Sequence, residues 1–243
     1  MQETELAGLK QTVATGCRIL AHQGLAEDIL GHISVRIAAD SALVRCRGPR
    51  EQGLLFTTSD DVRVVRLSGG SVDDDSYSVP QELPIHTSVL AARPDVQAVL
   101  HAHPPWVVAA DLAEVPLLPM VGAYNIPAAR MAADGIPVYP RGVLIRRAEL
   151  GDEMAEHLGG ASACVLRGHG ITTVGATVEQ AVARALAVNS LARMVCRVKS
   201  LGGTVAALPD DDLAELPDLG SGFNDTLIWR HYCARLAHDG LDE

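Results

Sequence analysis

A chain of 243 residues, 48% hydrophobic but only 3% aromatic, can bury one sizeable core packed mainly with small aliphatic side chains. Its formal charge of −10 excludes a nucleic-acid partner, because phosphate binding needs a basic face, yet a few local arginines can still receive a small acidic substrate. No stretch approaches the roughly 18 uninterrupted apolar residues of a membrane span, the start of the chain carries Glu3 and Glu5 and lacks a leader pattern, and the five cysteines are scattered without a Cys-x-x-Cys pair, so one cytoplasmic domain with reduced thiols is expected over 1–243.

Leu6, Leu9, Val13, Cys17 and Leu20 recur at three- and four-residue steps, which predicts an amphipathic helix from Glu3 to Gln23 ended by Gly24. Ile33, Val35 and Ile37 then alternate with Ser34 and Arg36, and Leu43-Val44, Leu54-Leu55-Phe56 and 62–67 read as further short strands. A second helix is expected to begin near Glu82 and to end before Pro94, because the residue preceding a proline is pushed out of helical geometry. Val96 to Leu100 reads as a buried strand leading into His101-Ala102-His103, and Pro104-Pro105 stops it and opens a helix over 106–112. Val138 and 143–145 are strand-like, 149–158 is helical, and the apolar run Ala163 to Leu166 is a strand that ends in Arg167-Gly168-His169-Gly170. Thr177 and Gln180 form a capping-box pattern for a long helix over 177–201, the Pro/Gly/Asp-rich stretch 209–222 reads as loop, and a last helix is expected over 225–236. Alternating helices and strands make the class α/β, with helical and sheet layers around a single core.

Three places carry chemistry. His101 and His103 sit at i and i+2 at a strand end, where side chains project to one face and can grip one ion together. His169 lies between two glycines after a second apolar strand, where small neighbours let a ligand approach closely. Glu82 stands where the second helix starts, a position a carboxylate also occupies simply to complement the helix terminus. Taken together, three imidazoles and a carboxylate form a ligand set suited to zinc and acceptable to manganese, iron or cobalt, with magnesium a further candidate. Arg45, Arg47 and Arg50 form a cluster that is either a solvated charged face or a receptor for carboxylate.

Five blocks together resemble the class II aldolase/adducin family over almost the entire chain: Gly31-His32-Ile33-Ser34-Val35-Arg36, Phe56-Thr57-Thr58-Ser59, Glu82-Leu83-Pro84-Ile85-His86, Arg93-Pro94-Asp95 leading to His101-Ala102-His103-Pro104, and Gly168-His169-Gly170. The resemblance implies a single-domain mixed β-sheet flanked by helices and a homotetramer with active sites at subunit interfaces. It also implies a divalent metal held by His101, His103, His169 and Glu82, the last doubling as a proton-transfer group. Sugar-phosphate aldolases of that family carry a Gly-Asn near the position of Gly31-His32 and a Ser-Ser pair just before the glutamate. Here the second place holds Pro80-Gln81, so the phosphate donors are missing. The blocks look closer to a branch that decarboxylates hydroxylated aromatic acids. On that resemblance Glu82 or His32 is the catalytic acid, Arg45, Arg47 or Arg50 holds a substrate carboxylate, and the hydroxyls of Ser34, Thr58 and Ser59 are further substrate-binding candidates. An aldolase acting on a hydroxy-keto substrate is the alternative, and a non-catalytic adducin-like interaction protein a third.

Overall fold

The computed structural model describes residues 2–242. Helix α1 (Glu3–His22) stops where Gly24 adopts a φ of +68°, the left-handed geometry that costs glycine least. The hairpin β1 (His32–Ala38) and β2 (Ser41–Arg45) follows, with β3 (Val62–Arg66) added to its edge. Next come α2 (Leu83–Ala92), β4 (Ala98–Ala102), α3 (Pro105–Leu112), α4 (Ile126–Ala133), β5 (Val138–Tyr139) and α5 (Ala148–Leu158). β6 (Ala163–Leu166) and β7 (Gly170–Gly175) lead into the long α6 (Val178–Ser200), whose N-cap Thr177 accepts the Gln180 N–H as the sequence predicts. The short α7 (Asp210–Glu215) and α8 (Ile228–His238) follow.

The strands form one seven-stranded sheet in the order β3-β2-β1-β4-β7-β6-β5, antiparallel at every pairing except β5 with β6. This is the mixed sheet expected. The core differs from the single one anticipated, because the sheet is covered on both faces and its alternating side chains feed two apolar layers. Ile33, Val35, Leu43 and Leu100 pack with α1 and α6, while Ala42, Val44, Val99 and Val174 pack with α2 and α5. Among the described residues no helix is long and apolar enough to cross a membrane.

Several local expectations need correction. Residues 54–56 make a single 3-10 turn, forced by Gly53 at φ +102°, where a Cβ would lie 2.8 Å from the Asp28 carbonyl oxygen. The segment 143–145 pairs with no strand, because the Ile145 N–H is committed to the Glu82 carboxylate. The tail expected as loop contains α7, the last helix begins at Ile228 after a π turn over Gly222–Leu227, and α4 was not anticipated although Pro127 marks its first turn.

Register positions the site. His32 of β1 lies directly opposite His101 of β4, and Ser34 opposite Val99, so His32, Ser34 and His101 share the face that α2 covers. Arg45 shares its parity with Leu43 and therefore lies on the other face, toward α1.

Candidate active site

Four side chains from three places in the sequence converge at the ends of β4 and β6. His101 is fully buried, and its Nδ1 lies 3.0 Å from the Ile171 carbonyl of the neighbouring strand β7. A carbonyl can only accept, so Nδ1 carries the proton and Nε2 presents a lone pair to the cluster. His103 follows on the same face, its backbone N–H tied to the Leu25 carbonyl at 3.0 Å. His169 is carried by the turn between β6 and β7. Gly170 beside it must lack a side chain, since a Cβ there would sit 2.2 Å from the Ala102 carbonyl oxygen and 2.9 Å from the His103 ring.

Glu82, the residue before α2, is buried and has its two oxygens divided between tasks. Oε1 accepts the Ile145 N–H at 3.1 Å, while Oε2 lies 3.3 Å from His101 Nε2 and 3.5 Å from His169 Nε2. Burial would raise its carboxyl pKa, but the adjoining imidazoles of His101 and His169 outweigh that and hold it well below the ordinary carboxylate range. His103 is pushed down to about 3, by burial first and then by its histidine neighbours, so it is neutral and able to ligate. The Nε2 atoms of His101 and His103 stand only 2.8 Å apart, and one ligand atom from each of the four residues fits within 4.8 Å of all the others. Acceptors crowded this closely repel unless a cation or a shared proton lies among them. With the tautomer of His101 set by a carbonyl and one carboxylate oxygen anchored away, the donor set fits a divalent ion.

Behind the cluster runs a buried chain of polar groups. His32 Nδ1 is 2.6 Å from His86 Nε2, and His86 Nδ1 is 2.7 Å from the Ser34 hydroxyl. The His32 ring packs 5.1 Å from that of His101, centroid to centroid. Burial, then the neighbouring histidines, push His32 well below its ordinary pKa, and burial followed by His101 brings His86 to about 3, so both rings are neutral. With Nδ1 engaged, the free atom of His32 is Nε2, and this residue lines the cavity in front of the cluster.

That cavity, of about 950 Å³, is bordered by Glu82, His103 and His169, by apolar Ile29, Leu30, Val108, Leu112 and Leu144, and by the guanidinium-bearing Arg47 and Arg167. Of the substrate-binding candidates, only Arg47 lines it. Arg45 is 3% exposed and bound to Glu51 at 2.5 Å on the opposite face of the sheet. Arg50 is exposed and off the cavity. Ser34 is fully buried against His86, Thr58 caps a turn by bonding Asp61 at 2.8 and 3.0 Å, and Ser59 belongs to that turn. The side chains of Arg45, Ser34 and Thr58 are thus engaged by Glu51, His86 and Asp61. Three features of the site escaped the sequence reading: Arg167 on the cavity wall, His86 as partner of His32, and the Ile145 N–H on Glu82. Arg167 stood in plain view, two residues before His169.

The fold and the cluster together define a protein with a candidate divalent-metal site at the strand ends of a mixed sheet. Residues 11–196 match the model of the Class II Aldolase and Adducin N-terminal domain, and the chain belongs to that family. A 3,4-dihydroxyphthalate decarboxylase of Arthrobacter keyseri is 52% identical over 235 residues, covering 95% of each chain. The enzyme of the same name from Rhodococcus jostii (strain RHA1) is 46% identical over 242 residues, covering 98% of this chain and 99% of its own. Among solved structures, an aldolase II superfamily protein from Pseudomonas syringae superposes with a TM-score of 0.83 at 22% identity, covering 100% of this chain and 96% of that one, which bears on the fold alone.

Proposed function

We propose that the protein is a divalent-metal-dependent decarboxylase of a dihydroxylated aromatic dicarboxylic acid, the substrate class named for its Arthrobacter and Rhodococcus relatives. The observation that carries the reading is the buried imidazole of His32. It faces an apolar-walled cavity beside the His/Glu cluster and is backed by His86 and Ser34. Decarboxylation leaves an electron pair on a ring carbon, and that carbon must be protonated inside the site.

The cavity wall beside His32 is largely apolar, and the groups that can hand a proton to the ring carbon there are the imidazole and the substrate's own hydroxyl. A hydroxyl beside the departing carboxyl group can supply it. In the tautomer where His32 Nδ1–H donates to His86 Nε2, and His86 Nδ1–H donates to Ser34 Oγ, the bare Nε2 of His32 accepts the phenolic proton and returns it to the ring carbon. The carbon–carbon bond breaks, carbon dioxide departs, the ring carbon gains one proton and the hydroxyl oxygen is left as phenolate, so charge and protons balance. A divalent ion held by His101, His103, His169 and Glu82 would supply Lewis acidity to that oxygen. Glu82, already ionised and anchored to Ile145, serves as ligand better than as proton donor, which favours His32 over Glu82 as the acid.

Zinc is the ion assigned first, because three imidazoles and a carboxylate are its common donors; manganese, iron, cobalt and magnesium are compared by reconstitution. A homotetramer is part of the same reading, supported by exposed Ile29, Leu30 and Leu144 at the cavity mouth, apolar groups that a second copy would cover. Cytoplasmic residence is assigned with it and fits five free cysteines. The test is incubation of metal-loaded protein with 3,4-dihydroxyphthalate, other ortho-hydroxylated aromatic acids and sugar phosphates, following carbon dioxide and aldehyde separately. Carbon dioxide from the dihydroxylated dicarboxylate is expected. Aldehyde from fuculose or ribulose phosphates with no carbon dioxide from any aromatic acid overturns the decarboxylase and restores the aldolase.

A further inference from the structure

We infer that Arg167, positioned by Asp111, reads the substrate carboxylate that is retained through the reaction, and so determines the preference for a dicarboxylate. The inference rests on the decarboxylase reading. Arg167 follows the last residue of β6, with its backbone N–H bonded to the Tyr139 carbonyl at 3.1 Å, so its Cα is fixed by the sheet edge and not by a loose loop. Asp111, in the last turn of α3, has a side chain only 6% exposed. It accepts the Gly168 N–H at 2.6 Å and faces Arg167 Nε at 3.6 Å. One buried carboxylate thus holds both the turn that delivers His169 and the stem side of the guanidinium. Arg167 lines the cavity with its side chain 41% exposed, and no acceptor among the described residues hydrogen-bonds its Nη atoms. Two adjacent N–H groups left in plane form the fork that matches a carboxylate.

Arg47 is the competing guanidinium, and its circumstances differ. It lines the same cavity, but its Nη2 already donates to the Ile29 carbonyl at 3.3 Å on the rim. The chemistry also separates the two substrate carboxylates. The departing one must shed its charge as carbon dioxide forms, so a guanidinium clamped on it would stabilise the ground state more than the transition state. The retained one keeps its charge throughout and can be held from first contact to product release. Arg167 lines the same cavity as His169, two residues away in the chain, which sets that grip beside the cluster where the hydroxyl groups of the ring would bind.

The inference is tested by calorimetric titration of the metal-loaded protein with 3,4-dihydroxybenzoate, which carries the retained carboxylate, and with catechol, which lacks it. The wild type, Arg167→Met, Arg167→Lys and Arg47→Met are compared, with carbon dioxide release from 3,4-dihydroxyphthalate by the wild type measured alongside. Arg167→Met is expected to lower the preference for 3,4-dihydroxybenzoate over catechol by roughly 10- to 100-fold, the loss of a charged hydrogen-bond pair. Catechol binding should be unchanged, which also reports an intact site. Arg167→Lys should restore part of the preference, and Arg47→Met should leave most of it. Wild-type discrimination surviving in Arg167→Met, or vanishing in Arg47→Met alone, overturns the assignment. A wild type that releases no carbon dioxide overturns the decarboxylase reading instead, whatever the titrations show.

Discussion

Replacing Gly170 by alanine adds one methyl group where the start of β7 passes the end of β4. The new Cβ would stand 2.2 Å from the Ala102 carbonyl oxygen and 2.9 Å from His103 Cδ2. Ordinary non-bonded carbon contacts fall near 3.5–4.0 Å, so the strands have to part by more than about 1 Å there. Neither obstacle is the free end of a flexible side chain: one is backbone in the middle of a sheet, and the other is a ring whose position defines the cluster. Overpacking of this kind costs roughly 1–3 kcal/mol, which in a chain of this length lowers Tm by about 2–4 °C for each kcal/mol. Displacing His103, and with it the Ile171 carbonyl that orients His101, should weaken metal binding by roughly 10- to 100-fold, the scale seen when groups orienting metal ligands are lost. The internal comparison is Gly8→Ala on the exposed face of α1, where the added Cβ meets nothing within 4 Å. The same chemical change there should be neutral or stabilise by about 0.5–1 kcal/mol, because alanine is the better helix former. Thermal unfolding with and without zinc, together with equilibrium dialysis for metal affinity, measures both. A Gly170→Ala protein that binds metal as tightly as Gly8→Ala would refute the claim that this contact sets the ligand geometry.

Glu82→Gln keeps an oxygen for the Ile145 N–H but removes the ligand charge, so metal affinity and turnover should fall together; turnover that collapses in a fully metal-loaded variant would instead make Glu82 the proton carrier. His86→Phe removes the partner that orients His32, and we expect kcat to drop by roughly 100-fold or more at full metal occupancy with KM little changed; wild-type kcat would remove His32 and its relay from the mechanism. Stability of the metal-free protein should fall on acidification. His86 is neutral in the folded chain down to about pH 3, whereas an unfolded histidine takes up a proton below about pH 6.5, so the unfolded state binds more protons in that window. The contribution is fully present above pH 6.5 and is lost as pH falls toward 3, amounting to about 2 kcal/mol by pH 5. Urea unfolding at pH 7 and 5 reads it, and the loss should shrink in His86→Phe; equal stability at both pH values would contradict it.

What could be read from the sequence here was whatever depends on neighbours in the chain. His101 and His103 announce themselves because a period of two and a proline stop are local facts, and His169 because two glycines flank it. Helices α1 and α6 were legible for the same reason, as their stripes and caps lie within one element. Arg45 misled because its chemistry suits a carboxylate, while its orientation depends on which face of β2 is turned toward α1, a fact fixed by the register with β1 and β3. The oxygen of Glu82 that faces no histidine is claimed by an N–H 63 positions away, and the same bond draws 143–145 out of the strand its composition favours. His86 gains its role only when α2 packs on the face of β1 that carries His32 and Ser34. The candidate ligands were therefore legible and the groups that support them were not, which follows from the physics of such a site. A ligand is recognised by its donor atom, which the residue type supplies. A support is recognised by what it touches, and in this fold each support arrives from an element distant in sequence.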